Sequence, residues 1–282
     1  MSPLANPRPW RTILVAGLPL LALTAVVYRA VWAEWASDLW NDPDYSHGLL
    51  VPFVSAWLIY RRREDLARLE PRPAFGGVLL LAAGLGMFAV GLLAAEFFIT
   101  RASLVVVLAG LTAALLGYRH LRVLLLPLCF LLFAVPLPAL VFNAVAFPLQ
   151  ILASKFAIAT LHAAEVPALR EGNVILLPQG ALEVAEACSG LRSLVALFAT
   201  SVLLAVLMLR HTLPRLLIVA LSIPVAVWTN AMRVSGTGLL AYRYGTGVAE
   251  GFFHGFSGWI LFLAALGMLA LAAETMHRLE GS

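Results

Sequence analysis

The chain has 282 residues, of which 62% are hydrophobic and only 12% are charged. This composition excludes an ordinary soluble domain and is typical of an integral membrane protein. The net charge of +4 comes from arginines that flank apolar segments, so it indicates membrane topology and not a nucleic-acid partner. Two cysteines are too few for a disulfide framework.

Eight apolar segments are each taken as long enough to cross a hydrocarbon layer of about 30 Å as a helix. They are residues 12–32, 46–60, 75–94, 99–117, 121–138, 189–209, 214–237 and 253–273. A further apolar stretch, 140–162, is interrupted by Pro148, Gln150, Lys155 and His162, and we interpret it as an interfacial or re-entrant helix. The sequence therefore predicts an all-α polytopic bundle in the lipid bilayer, with residues 1–282 as a single membrane domain.

Basic residues orient this bundle, because short cytoplasmic loops are enriched in Lys and Arg. Twelve of the 19 basic residues fall on one side of the eight-span topology: Arg8, Arg11, Arg61, Arg62, Arg63, Arg68, Arg72, Arg119, Arg122, Arg210, Arg215 and Arg278. Both termini are then expected in the cytoplasm. The long stretch 139–188 is expected on the opposite face.

Two short β-favouring runs, 173–177 and 181–184, flank the turn signal Pro178-Gln179-Gly180. They predict a small extracytoplasmic hairpin just before Cys188. Cys188 would then lie near the N-terminus of the sixth span, where orphan N–H groups and the helix dipole favour a thiolate. Its position alone fits a small interfacial residue equally well.

Two other polar residues recur at the same predicted depth. Arg233, with Asn230 three residues before it, lies near the outer end of the seventh span, where a guanidinium could stabilise an oxyanion or simply snorkel to water. His254 opens the eighth span and could transfer the thiol proton, although an interfacial anchor is the plainer explanation. Together with Cys188 they predict a nucleophilic site.

The other candidates carry weaker signals. Cys129 lies mid-span and is interpreted as a small core hydrophobe. Glu183 and Glu186 either orient the predicted site as carboxylate partners or are solvated charges of the hairpin. No metal or nucleotide motif occurs in the sequence, so we expect neither a metal nor another cofactor.

Several spaced stretches, taken in order, resemble the exosortase family, multi-pass membrane proteins related to the archaeosortases. They are Asp44-Tyr45-Ser46-His47-Gly48, Gly172-Asn173-Val174-Ile175, the run 182–194 around Cys188, Asn230-Ala231-Met232-Arg233-Val234, and Phe253-His254-Gly255-Phe256-Ser257-Gly258-Trp259. The resemblance covers about residues 42–259. For His47 it implies no catalytic role, and we expect a structural or substrate contact there.

The resemblance implies a cysteine transpeptidase or peptidase that cleaves C-terminal Pro-Glu-Pro type sorting signals of membrane-tethered proteins. Cys188 matches the family's nucleophile, and Arg233 and His254 match its arginine and histidine. It further implies the bacterial inner membrane, a site at the periplasmic face, and a link with exopolysaccharide, which makes polysaccharide-export proteins candidate partners. The resemblance does not decide how the roles are divided between Arg233 and His254. It also leaves open whether the acyl group is hydrolysed or transferred to an acceptor.

Three other classes of function compete with this prediction. A multi-pass transporter would use Arg233, Asn230 and His254 to line a solute path. A membrane acyltransferase would form a thioester with a lipid-derived acyl group, and an assembly factor for envelope polysaccharide would need no chemistry. Replacement of Cys188 separates the peptidase from a transporter or an assembly factor.

Overall fold

The computed structural model describes residues 7–41, 46–184, 191–245 and 252–281. The described residues are mostly helical, which agrees with the predicted all-α class. The chain divides into two compact units, Met1–Pro138 and Ala139–Ser282. The single polytopic domain over 1–282 stays a prediction.

The described part of the first unit is a series of helices, with 3-10 turns at Ser46–Leu49 and Leu131–Ala134. The helices are α1 (Pro7–Val27), α2 (Arg29–Asn41), α3 (Val51–Arg61), α4 (Arg63–Arg68), α5 (Phe75–Leu93), α6 (Phe97–Leu115) and α7 (Tyr118–Phe130). Polar side chains fix α2 in place. Arg101 of α6 is buried and donates to Asp38 at 2.5 Å, and the Trp35 indole N–H donates to the carbonyl of Ala134 at 2.7 Å.

The helices α5 and α6 approach closely along a row of glycines. Gly77, Gly84 and Gly91 recur every seven residues and so share one face of α5. A Cβ atom on Gly84 would lie 2.8 Å from the backbone nitrogen of Val107, and one on Gly91 would lie 2.7 Å from that of Thr100. Because side-chain carbons do not approach that closely, glycine permits the two backbones to touch.

The second unit contains both helices and a sheet. Its described elements are α8 (Ala139–Ala163), β1 (Leu169–Glu171), β2 (Val174–Leu177), β3 (Gly180–Glu183), α9 (Leu191–Met208), α10 (Thr212–Tyr244) and α11 (Phe252–Gly281). Helix α10 packs against α8, α9 and α11. It is therefore the central helix of this unit.

A three-stranded antiparallel sheet stands where the sequence predicts a two-stranded hairpin. Strands β2 and β3 pair with Leu177 opposite Gly180, so Pro178 and Gln179 form the turn between them. Strand β1 pairs with the other side of β2. It was not predicted because Leu169–Glu171 is three residues long and two of them are charged.

The number of predicted spans needs correction. Among the described residues, α5, α6, α8, α10 and Gly258–Glu280 of α11 are long and apolar enough to cross a membrane, and the pair Gly17–Val27 and Arg29–Asp38, bent by 60°, would make a sixth. The predicted count of eight is not confirmed. Two of the predicted spans, 46–60 and 121–138, contain α3 with 11 residues and α7 with 13. At 1.5 Å per residue these helices reach only about 17 and 20 Å.

The stretch 140–162 is helical as predicted, and its interpretation as an interfacial or re-entrant helix stays a prediction. It forms α8, a continuous helix of 25 residues that counts among the candidate spans, with Pro148 inside it. Its polar residues Gln150 and Ser154 are buried, and both bond to the turn between β1 and β2. They therefore do not interrupt an apolar surface.

Candidate active site

Arg233 lies in α10, roughly three turns before the helix ends at Tyr244. Its side chain is half-buried and its Nε atom is shielded from solvent. Asn230, three residues earlier and on the same side of the helix, is only 7% exposed. This side of α10 therefore faces protein, which favours the functional interpretation of Arg233 over simple snorkelling.

The guanidinium of Arg233 reaches across to α11. A Cβ atom on Gly258 would lie 3.4 Å from the Nη1 atom and 4.0 Å from the Cδ atom of Arg233. The arginine therefore lies directly beside Gly258, at a distance that an added methyl group would just fill. A cation is thereby fixed beside the first turns of the last described helix.

His254 belongs to those first turns. The described backbone of α11 begins at Phe252, which places position 254 one helical turn before Gly258. The His254 side chain lies outside the part of the structure that is described. Its predicted pairing with Cys188 and Arg233 stays a prediction.

Cys188 lies outside the described residues, together with the predicted N-cap Ser189 and with Glu186. The chain is described up to Val184, directly after β3, and again from Leu191, where α9 begins. The segment that carries the predicted nucleophile therefore lies between the end of a sheet and the start of a helix, as the sequence predicts. Its proximity to Arg233 or His254 is not tested.

One buried apolar cluster joins the strand before Cys188 to the helix turn that carries Arg233. Val184 is 1% exposed and Val234 is 3% exposed, and both belong to this cluster. The cluster also contains Ala153, Ala157, Leu161, Val166, Ala168, Ile175, Leu177, Leu182 and Ala241. Close packing of α8 on α10 closes it, with Gly238 facing the Leu161 side chain.

Asn173 is a polar residue to which sequence reasoning assigned no role. Its side-chain amide donates to the carbonyl of Val184 and to the side-chain oxygen of Gln150. Asn173 occurs in one of the family-like stretches, which was the signal available in the sequence. Its partners were not predictable, because they lie 11 and 23 residues away along the chain.

The other residues singled out in the sequence can be located one by one. Glu183 is an exposed residue of β3, and its predicted role as a carboxylate partner stays untested. His47 lies in the first unit, in the 3-10 turn Ser46–Leu49. Cys129 is an exposed free cysteine of α7, so its interpretation as a core hydrophobe is wrong. Among the residues that the structure describes, no group of three or more His, Cys, Asp or Glu side chains could hold a metal ion.

These features define a helical membrane protein in which Arg233 of α10 lies beside Gly258 near the start of α11. The family model described as Transmembrane exosortase (Exosortase_EpsH) matches residues 32–271, and the chain belongs to this family. The resemblance found in the sequence is thus confirmed, and family membership supports a membrane peptidase or transpeptidase that depends on cysteine. No curated protein and no solved structure matches the chain.

Proposed function

We propose that this chain is a membrane-embedded cysteine transpeptidase or peptidase that cleaves C-terminal Pro-Glu-Pro type sorting signals of exported proteins. Cys188 is the nucleophile, Arg233 stabilises the charge that develops on the attacked carbonyl, and His254 transfers protons. The proposal places this chemistry at the periplasmic face of the bacterial inner membrane, with both termini in the cytoplasm. Polysaccharide-export proteins are its proposed partners.

One observation carries the proposal for the site. Val184 and Val234 share a buried cluster, and each lies within a few residues of a proposed catalytic position. Two chain segments that are far apart in sequence are therefore held by the same packing. The contact of Arg233 with Gly258 adds the start of α11, where His254 is located, to the same region.

The first half of the reaction forms an acyl-enzyme. The Cys188 thiol gives its proton to His254, and the thiolate sulfur bonds to a backbone carbonyl carbon near the sorting motif while the carbonyl π electrons move to oxygen. Arg233 faces this oxyanion with several N–H donors that stay charged at any working pH. Collapse of the oxyanion breaks the C–N bond, and the leaving amine takes the proton from His254.

The second half releases the product. An amine, hydroxyl or water acceptor attacks the thioester carbon and gives its proton to His254, and the carbon–sulfur bond breaks to restore the thiolate. A substrate tethered in the same bilayer reaches the site at high effective concentration. In the second half, transfer competes with hydrolysis, and transfer prevails when an acceptor is bound near the thioester.

The test is a processing assay in membranes. The full chain is co-expressed with a tagged protein that carries a Pro-Glu-Pro motif, a transmembrane helix and a basic tail, and the substrate is followed by its size. Cys188→Ala and Cys188→Ser are expected to abolish the size shift while inserting normally. Cys129→Ser is the matched control, because it removes the exposed thiol of α7 and should leave processing unchanged.

Mass spectrometry of the processed substrate then identifies the cleaved bond and any attached acceptor. Processing that persists in Cys188→Ala would refute the proposed cysteine chemistry. A transporter or an assembly factor would then be favoured. Equal loss in Cys129→Ser and Cys188→Ser would show that the assay reports general thiol damage and not a nucleophile.

A further inference from the structure

The turn between β1 and β2 is held on α8. Gly172 adopts a left-handed backbone conformation with φ of 64°, which lets a two-residue turn, Gly172 and Asn173, connect β1 to β2. The carbonyl of Gly172 accepts a hydrogen bond from the Ser154 hydroxyl at 3.2 Å, and Ser154 is fully buried. The turn is therefore attached to a helix that crosses the unit.

Asn173 connects this turn to the end of β3. Its backbone carbonyl accepts from the Val184 N–H at 2.9 Å, and its side-chain nitrogen lies 3.3 Å from the Val184 carbonyl oxygen. Both backbone polar groups of Val184 are thus bound by one residue. The side-chain bond is long, so it contributes direction more than strength.

Gln150 sets the orientation of the Asn173 amide. Its side-chain oxygen accepts from the same nitrogen at 3.4 Å, and Gln150 is only 6% exposed. An amide nitrogen has two N–H groups, enough to donate to both the Gln150 oxygen on α8 and the Val184 carbonyl. The side chain of Asn173 therefore bridges a helix and the last described residue before the segment 185–190.

We propose that Asn173 is a positioning residue that fixes the start of the segment leading to Cys188. The proposal rests on the proposed role of Cys188 as the nucleophile. Asn173 touches neither the substrate nor the reacting atoms. It acts through Val184, whose side chain is already immobilised in the buried cluster and whose backbone Asn173 orients.

The size of the effect follows from the sensitivity of a covalent step to geometry. A nucleophile attacks along a narrow range of directions, and a displacement of about 1 Å can cost on the order of a hundredfold in rate. Loss of one long hydrogen bond shifts an anchored backbone by less than that. We therefore expect kcat to fall by about tenfold when the Asn173 amide is removed.

Two substitutions and one matched control test the proposal in the full chain in membranes. Asn173→Ala removes the side-chain bridge without adding charge. Asn173→Asp keeps the shape but replaces the donor to the Val184 carbonyl by an oxygen. Glu171→Gln is the control. It replaces a carboxylate by an amide at an exposed position of the neighbouring strand β1 and should change neither the processing rate nor the stability.

The first readout is the processing kinetics of the tagged Pro-Glu-Pro substrate. We expect kcat to fall by about tenfold in both Asn173 variants, with KM and the amount of inserted protein within about twofold of the wild type. Wild-type kinetics in both variants would overturn the proposal. So would a loss of activity that merely follows a loss of inserted or thermally stable protein.

The second readout does not depend on catalysis. In a Cys129→Ser background, the rate at which N-ethylmaleimide modifies Cys188 is measured against pH. We expect the rate profile to change in Asn173→Asp and Asn173→Ala and to match the wild type in Glu171→Gln. An unchanged profile would overturn the positioning role.

The two proposals fail in different ways. If Cys188→Ala still processes substrate, the proposed nucleophile is wrong, and the maleimide profile alone decides whether Asn173 positions that segment. If Cys188→Ala is inactive while both Asn173 variants are normal in rate and profile, the nucleophile is supported and the positioning role is refuted.

Discussion

The Arg233 side chain of α10 lies beside Gly258 of α11, on the side from which a side chain at position 258 would project. A Cβ atom at that position would lie 3.4 Å from the Nη1 atom of the arginine, which is an ordinary van der Waals contact. The backbone of α11 therefore forms one wall of the space that the guanidinium occupies. In the proposed enzyme this contact determines where the positive charge stands.

Enlarging Gly258 should displace the arginine. Ala places a carbon at contact distance and should cost at most a few-fold in rate, whereas Gly258→Leu should lower kcat/KM by more than about tenfold. Both substitutions favour the helix relative to glycine, by up to ~1 kcal/mol, and a loss of rate per inserted protein is distinguished from a loss of stability by comparing thermal unfolding of the variants. The measurement is the processing rate per inserted protein.

Gly267→Leu is the control for this prediction. It lies in the same helix, and a Cβ atom there would meet nothing within 4 Å. It should retain full activity. A Gly258→Leu variant as active as Gly267→Leu would show that the position of Arg233 does not matter for the reaction.

Replacement of Arg233 by Lys should be nearly as damaging as its removal. Lys keeps the charge but presents a single ammonium on a flexible stem in place of a planar fork of donors. If Arg233 stabilises the oxyanion, loss of its donors should cost roughly 10²- to 10³-fold in kcat. Arg243→Lys, at an exposed position of the same helix, should be neutral. A fully active Arg233→Lys variant would mean that the charge alone suffices.

Glu280 should stabilise the junction between α9 and α10. Its carboxylate oxygens accept hydrogen bonds from the backbone N–H groups of Arg210 and His211, both at 2.8 Å, just before α10 begins. Glu280→Ala removes both acceptors at a helix start, so thermal unfolding in detergent should shift down by a few degrees.

The control is Glu274→Ala, which removes an exposed pair with Arg278 one turn away in α11. Exposed pairs of this kind contribute little to stability, so its unfolding temperature should stay close to that of the wild type. Equal shifts in the two variants would contradict the special role of Glu280.

The row of glycines on α5 predicts that a larger residue at Gly84 lowers the stability of the first unit. A Cβ atom on Gly84 would meet the backbone of Val107 at 2.8 Å, whereas one on Gly86 would meet nothing within 4 Å. Gly84→Leu should destabilise the α5–α6 pair by at least ~1–3 kcal/mol. Gly86→Leu should be tolerated. Unfolding in detergent compares the two, and equal stability would refute close packing at Gly84.

The sequence predicted some helices well because charged or turn-forming residues mark both of their ends. The apolar runs 75–94 and 99–117 became Phe75–Leu93 and Phe97–Leu115, since charged residues or turns bound them on both sides. Hydropathy did not find the end of α7 within 121–138, because the run stays equally apolar through the 3-10 turn Leu131–Ala134 as far as Pro136 and Pro138. For α8, hydropathy could not show that Gln150 is buried and bonds to Asn173, at the turn between β1 and β2.

The candidate site, too, was predictable from the sequence only in part. Arg233 and Asn230 were recognisable as a polar helix face from their spacing alone. The placement of Arg233 beside Gly258 was not recognisable, because the sequence does not state how two helices cross. Asn173 bonds to residues far along the chain, and a pairing of that kind becomes visible only when the sheet and α8 are placed together.

Helix α10 has 33 residues and is therefore about 50 Å long, whereas the hydrocarbon layer is about 30 Å thick. A helix that exceeds the layer adjusts to a change in thickness by tilting. Arg233 lies on this helix, so tilting would change its depth in the bilayer. In the proposed enzyme, the acyl-chain length of the surrounding lipids would then help to set the depth at which the arginine acts.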